Sequence, residues 1–125
     1  MEDLLKKLRY KEGRAIVLGA PAGYLLGIET GETLEGKYEF IQLFVNNARE
    51  AEEMMLKAIP FLNEDALFWI TYPKQSGKFK PDINRDSLAE LVQNKTPYRP
   101  VSNIAVDDMW SALRFRPKDK VKTAK

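Results

Sequence analysis

The sequence predicts a single α/β domain in three layers, with a five-stranded sheet at its centre. Three observations carry that prediction. The runs Arg14-Ala-Ile-Val-Leu-Gly-Ala-Pro21, Phe40-Ile-Gln-Leu-Phe-Val-Asn46 and Leu67-Phe-Trp-Ile-Thr-Tyr72 are nearly continuous in apolar residues. Such runs suit strands buried on both faces, as parallel strands are. Stretches with helical periodicity lie between the second and third runs and again after the third. The length, 125 residues, is that of one domain able to bury a core without disulfide or metal staples.

Taken in order, Met1–Arg9 reads as a short helix. Leu4, Leu5 and Leu8 share one face, Lys6, Lys7 and Arg9 lie opposite, and Glu12-Gly13 ends it. Arg14–Pro21 is the first strand with its turn. Gly19-Ala-Pro-Ala-Gly23 lacks the third glycine and the spacing of a dinucleotide fingerprint, so Gly19 serves the turn or a close backbone approach. Tyr24–Tyr38 carries Gly27, Gly31 and Gly36, which argues against a long helix. Phe40–Asn46 is the second strand, and Asn46 or Asn47 caps the helix that follows. That helix, Ala48–Leu62, turns Ala51, Met54, Met55, Ala58, Ile59 and Leu62 inward, and Pro60 ends or bends its last turn. Asn63-Glu-Asp65 reads as a turn before the third strand, Leu67–Tyr72. Asp82–Lys95 is the next helix, with Asp82 at the N-cap and Ile83, Leu88, Leu91 and Val92 inward. Val101–Val106 and Trp110–Arg116 are the last strands. The corner Asp107-Asp108 is short enough to force a hairpin, so these two run antiparallel. The domain therefore spans 1–117, and 118–125 is a solvated basic tail expected to be disordered.

Composition excludes several kinds of chemistry. There is no Cys and no His, which removes thiolate nucleophiles, the commonest metal ligand and the usual neutral-pH general base. A catalyst here would have to rely on carboxylates, Lys, Tyr or Ser, and the expectation is of no enzyme and no cofactor. No apolar run approaches the roughly 20 residues of a membrane span, and the first residues lack a signal peptide's apolar core; a cytoplasmic protein is expected. The net charge is +2, but the tail from Lys118 to Lys125 holds four Lys and one Asp, or +3. The remainder, with 16 basic and 17 acidic residues, carries −1. A body of that charge makes nucleic-acid binding a weak expectation, confined to the tail with Arg114 and Arg116.

The order strand, helix, strand, helix, strand, then a closing hairpin resembles the second half of a class I, S-adenosylmethionine-dependent methyltransferase sheet. Gly13-Arg-Ala-Ile-Val-Leu-Gly19 is similar to that fold's first strand and loop. The set Arg14–Tyr24, Leu43-Phe-Val45, Trp69-Ile-Thr-Tyr-Pro-Lys74, Asp82-Ile-Asn-Arg-Asp86 and Ala105–Phe115 also resembles an uncharacterised bacterial family of short domains, over about residues 1 to 117. The resemblance implies a Rossmann-like, shortened sheet in the order first, second, third, fifth, fourth. It also implies right-handed crossovers with helices on both faces. Two strands of the full methyltransferase are missing, among them the one whose following acid holds the ribose of S-adenosylmethionine. Glu29, Glu32 and Glu35 lie in the irregular segment and could stand in for it, though nothing in their spacing requires that. The first strand then sits at the sheet edge, where bare backbone groups invite a homodimer.

Candidate chemistry gathers where the strands' carboxyl ends should lie, the usual ligand edge of open α/β sheets. Lys74, Ser76, Lys78 and Lys80 occupy one loop, followed by Asp82 and Arg85. Loop cations beside backbone N–H groups suit a small anion such as phosphate or carboxylate. In this reading Lys74 and Ser76 grip the anion, while Asp82, Arg85 and Asp107 shape the site by pairing. Trp110 packs on the sheet or the loop. The alternative for the same residues is structural: a strand end, a turn, a cap and solvated lysines.

Overall fold

The structure, a computed structural model, describes residues 6–11, 13–20, 24, 34–74 and 82–117. It is an α/β protein with a mixed sheet. The strands are β1 (Ala15–Leu18), β2 (Tyr38–Phe44), β3 (Leu62–Pro73), β4 (Tyr98–Ala105) and β5 (Trp110–Pro117), hydrogen-bonded in the order β1-β2-β3-β5-β4. The first three are parallel, and β5 is antiparallel to both β3 and β4. Helix α1 (Ala48–Ala58) and a 3-10 turn (Ile59–Phe61) join β2 to β3. Helix α2 (Arg85–Lys95) precedes β4.

Alternation along the strands divides the core in two. Ile41, Leu43, Phe68, Ile70, Leu113 and Phe115 project to one face, where they meet Ala51, Met55 and Ala58 of α1 and Leu88 and Val92 of α2. Each large side chain fully buried there contributes about 1.5–3 kcal/mol. Ala15, Phe40, Trp69 and Ala112 project to the other face and pack with Leu8 and Tyr10. Both helices described between strands thus share a face; the connection from β1 to β2, the remaining expected crossover, lies largely outside the described residues. The reason is direction: β2 to β3 and β3 to β4 advance the same way across the sheet, and right-handed connections advancing one way fall on one side. Among the described residues, the opposite face carries Tyr24 and the end of the N-terminal helical turn. Leu4 and Leu5, the rest of its expected apolar stripe, lie outside the described residues.

Three boundaries differ from the sequence reading. The expected turn Asn63-Glu-Asp65 is strand. The reversal occurs one turn earlier, where Pro60 in the 3-10 turn stops α1, and Leu62 then pairs with Tyr38. Asn63 Nδ2 donates to Glu39 Oε2 at 2.6 Å, tying this extension to β2. β4 begins at Tyr98 rather than Val101 because Tyr98 is buried edge-on against Phe68, centroids 5.7 Å apart. Pro100 is tolerated because β4 is an edge strand with a register shift beside it. Finally, α2 starts after Asn84, not Asp82. Ile83 is buried before the helix opens, and Asn84 and Ser87 form a reciprocal capping box, with both bonds at 2.9 Å.

The central strand also anchors the N-terminal turn. Trp69 is fully buried, and its Nε1–H donates to the Leu8 carbonyl at 2.9 Å. That carbonyl lies where the chain turns out of the helix, next to Arg9 with its positive φ of 65°, and a helix-end carbonyl needs such a donor once water is excluded. Replacing Trp69 by Phe keeps most of the apolar contact and strands the carbonyl. A loss of about 1–3 kcal/mol is expected, measurable as a lower urea midpoint with an unchanged m-value.

Candidate functional site at the carboxyl rim

Parallel pairing of β1, β2 and β3 gathers their carboxyl ends on one rim: Gly19 after β1, Val45 to Asn47 after β2, Pro73-Lys74 after β3. The β4–β5 corner joins them, since Pro73 pairs with Trp110 and Lys74 N–H donates to the Met109 carbonyl at 2.9 Å. Five of the eight sequence-predicted residues, Gly19, Lys74, Asp82, Asp107 and Trp110, stand on this rim. Arg85 lies on the first turn of α2, and Ser76 and Lys78 lie outside the described residues, as does Lys80.

The bonds these side chains make are not those expected of a paired site. Lys74 Nζ donates to the Asp107 carbonyl at 2.6 Å. Asp107 Oδ1 accepts the N–H groups of Met109 and Trp110 at 2.8 and 2.9 Å, closing the hairpin corner in the way short acidic side chains do. Asp82 Oδ1 accepts the Ala48 N–H at 2.9 Å. Its carboxylate therefore sits on the positive end of α1, not on its own helix, joining Asn47, which accepts from Glu50 N–H at 2.8 Å. Arg85 pairs with its neighbour Asp86 at 3.4 Å, both largely exposed, a contact worth little. The expected mutual pairing of Asp82, Arg85 and Asp107 does not form, because nearer backbone donors satisfy both carboxylates first. Asp108 and Met109 are exposed at the tip of the corner.

Gly19 adopts φ +76°, and a Cβ there would lie 2.6 Å from the Phe44 carbonyl oxygen. Its backbone thus approaches the end of β2 closer than any side chain permits. This is a structural use of the glycine, and it brings the first loop down onto the rim.

Beside the lysine lies a group that sequence reasoning missed. Tyr24, Phe44 and Trp110 stack edge to face, with centroids 4.7 and 5.1 Å apart. Tyr24 O–H donates to Gln42 Oε1 at 2.8 Å, and Gln42 Nε2 donates to Thr71 Oγ1 at 2.9 Å. Gln42 and Thr71 are wholly buried, and their shared network is how two polar side chains survive inside the sheet. The signal was present: one polar residue, Gln42 or Thr71, interrupts each of the apolar runs Phe40–Val45 and Leu67–Tyr72. On the helix-bearing face, Tyr72 O–H donates to Asn103 Oδ1 at 2.9 Å. A separate shallow groove of about 370 Å³ lies between α1 and α2, lined by Ala48, Arg49, Glu52, Glu53 and Leu91; it holds none of the predicted residues.

Chemically the rim holds an ammonium, a largely buried aromatic group and a neutral phenol. Burial pushes the Tyr24 hydroxyl up to about 12, and the Asp107 carboxylate adds to the rise; burial raises Tyr72 as well. Neither phenol is a base at neutral pH. Among the described residues no group of three or more acidic side chains could hold a metal ion. No described helix is long and apolar enough to cross a membrane. No family model matches this sequence, and no curated protein matches it.

The raised phenol has a measurable consequence. Its folded pKa exceeds the ordinary 10.0, so its contribution to stability is complete below pH 10 and is lost as pH rises toward 12. Absorbance titration of the folded protein should show tyrosines ionising above the ordinary range, and Tyr24→Phe should remove the latest. The same variant should flatten the fall in unfolding free energy between pH 10 and 12.

Proposed function

We propose that this chain is a non-catalytic, shortened methyltransferase-like domain that binds a small anionic ligand at the carboxyl rim. The strand order β1-β2-β3-β5-β4 with β5 antiparallel is the layout such a sheet has once two edge strands are removed. The observation that carries the reading is the Lys74 ammonium at the β4–β5 corner, whose Trp110 belongs to the Tyr24–Phe44–Trp110 group. It is held in place by one bond to the Asp107 carbonyl. An ammonium has three N–H donors, so a fixed lysine can still turn donors toward a carboxylate or phosphate. Ser76 and Lys78, in the same loop by sequence, supply further donors in this reading. Asp82 and Asp107 act by fixing backbone around the site rather than by touching the anion.

S-adenosylmethionine is the alternative ligand, and a small enzyme the alternative class. The resemblance to methyltransferases favours it. The missing strand, whose acid would hold the ribose, weighs against it, and Glu35, the candidate substitute among the described residues, is exposed in the approach to β2. Isothermal titration with S-adenosylmethionine, nucleotides, inorganic phosphate and small carboxylates decides between them. The expected result is binding of a phosphate or carboxylate compound, at least tenfold weaker in Lys74→Ala with an unchanged melting temperature. Micromolar binding of S-adenosylmethionine would reverse the assignment, and binding of none of these would end it.

A second role rests on β1, a four-residue strand at the sheet edge. Its outer backbone groups suit pairing with a second copy of the chain. Sedimentation equilibrium should then show a concentration-dependent dimer; a monomer at all concentrations rules it out.

A further inference from the structure

β4 ends the sheet, and among the described residues no further strand pairs with its outer side. Val106 N–H donates to the Trp110 carbonyl at 2.9 Å, toward β5. Bonding direction alternates along an antiparallel strand. Ile104 and Ser102 therefore turn their backbone groups to β5 as well, and Asn103 and Ala105 turn theirs outward. The Lys7 ammonium marks the same direction, since it donates from another element to the Ala105 carbonyl at 3.3 Å. A carbonyl has two lone pairs, so this bond leaves Ala105 able to accept from a strand. Val101, Asn103 and Ala105 are all exposed.

An open edge is ordinarily blunted by proline, a bulge or charge. The first half of β4 is blunted in this way: Pro100 has no N–H, and the register shifts between Pro100 and Ser102. The second half, Val101-Ser-Asn-Ile-Ala105, holds neither proline nor charge. Charge returns at equal distance on its two sides, with Arg99 four positions before Asn103 and Asp107 four after. Neither takes part in the ion pairs found among the described residues, Arg49 with Glu53 and Arg85 with Asp86. Arg99 Nε has no hydrogen-bond partner among them, and the corner bonds of Asp107 both fall on Oδ1.

We propose that β4 pairs with β4 of a second copy of this chain, antiparallel, about a two-fold axis at Asn103. Asn103 N–H donates to the Asn103 carbonyl of the other copy and the reverse bond forms with it, while Val101 lies across from Ala105. The axis brings Arg99 of each copy to the Asp107-Asp108 corner of the other, so two contacts between opposite charges form per dimer. A two-fold contact requires a patch that complements itself. A stretch neutral at its centre, with opposite charges evenly spaced at its ends, meets that requirement, whereas pairing with an unrelated strand gives the even spacing no role. The two five-stranded sheets become one, with both pairs of helices on the same face. The edge lies across the sheet from β1, so the two pairings are independent.

The chain has no cysteine, so a single introduced one reports the axis. Residues that exchange both bonds stand about 5.5 Å apart, Cα to Cα, within disulfide reach. Asn103→Cys should oxidise to a covalent dimer, while Asn46→Cys, exposed on the carboxyl rim, should stay a monomeric thiol. Asn103 also accepts from Tyr72, so variants that keep it supply a second test, by sedimentation equilibrium of the full chain. Ala105→Pro removes an N–H that the β4–β5 ladder does not use and should abolish the dimer. Arg99→Asp should weaken it about tenfold, and Arg99→Asp with Asp108→Arg should restore it to within about threefold. Circular dichroism verifies that each variant is folded. A dimer lost in Ala105→Pro and regained by the charge exchange supports the assignment. A monomer at all concentrations, a dimer that Asn103→Cys does not cross-link, or one unchanged in Ala105→Pro, which is then the β1 pairing, would overturn it.

Discussion

Strand β3 is buried on both faces from Phe68 to Tyr72, and that constraint organises the rest of the molecule. A strand with neighbours on each side and a layer above and below has no water for any polar side-chain atom. Each such atom must therefore find a partner on another element, and each partnership fixes that element. The Trp69 indole N–H holds the end of the N-terminal turn through the Leu8 carbonyl. The Thr71 hydroxyl accepts from Gln42 of β2, which in turn holds Tyr24. The Tyr72 hydroxyl reaches past β5 to Asn103 of β4. Three nearby positions thus tie four segments to one strand, and hydrogen bonds left unmade here would each cost about 1–3 kcal/mol.

The same constraint shapes the rim. Where β3 ends, burial ends, and the chain passes from apolar residues to Lys74 within two positions. Around it, carboxylates that look available in sequence are taken up by backbone N–H groups: Asp107 by its own corner, Asp82 by the first turn of α1. These donors are fixed by backbone geometry, whereas a cationic side chain must lose rotamer freedom to pair. The carboxylates accordingly stabilise the frame, and Lys74 bonds to a backbone carbonyl rather than to either of them. At the opposite end of the sheet, register sets Arg116 of β5 directly across from Arg99 of β4.

Much of this was legible in the residues. The apolar runs at 14–21, 40–46 and 67–72 became β1, β2 and β3, and the acidic corner at 107–108 became a hairpin. Asn47 capped α1, Pro60 ended it, and Phe115 turned inward. The misreadings have local causes. Asp82 and Asn84 both have cap chemistry, and only the burial of Ile83 between them selects the second. Asn63-Glu-Asp65 has turn composition, yet the turn had already been made by Pro60. Of the candidate site, Lys74, Asp107 and Trp110 were placed together correctly on one rim, while Tyr24 and Gln42 were missed.

What the sequence determined by itself is the α/β class, the number of long elements and the carboxyl rim, because periodicity and cap chemistry are properties of neighbouring residues. What only the tertiary structure decided is which side chains meet. Both long helices lie on one face because the crossovers advance in one direction. Asp82 serves α1, Tyr24 reaches Gln42, and Arg99 faces Arg116. Those contacts join residues 17 to 34 positions apart, and strand order and register, which no local pattern encodes, bring them together.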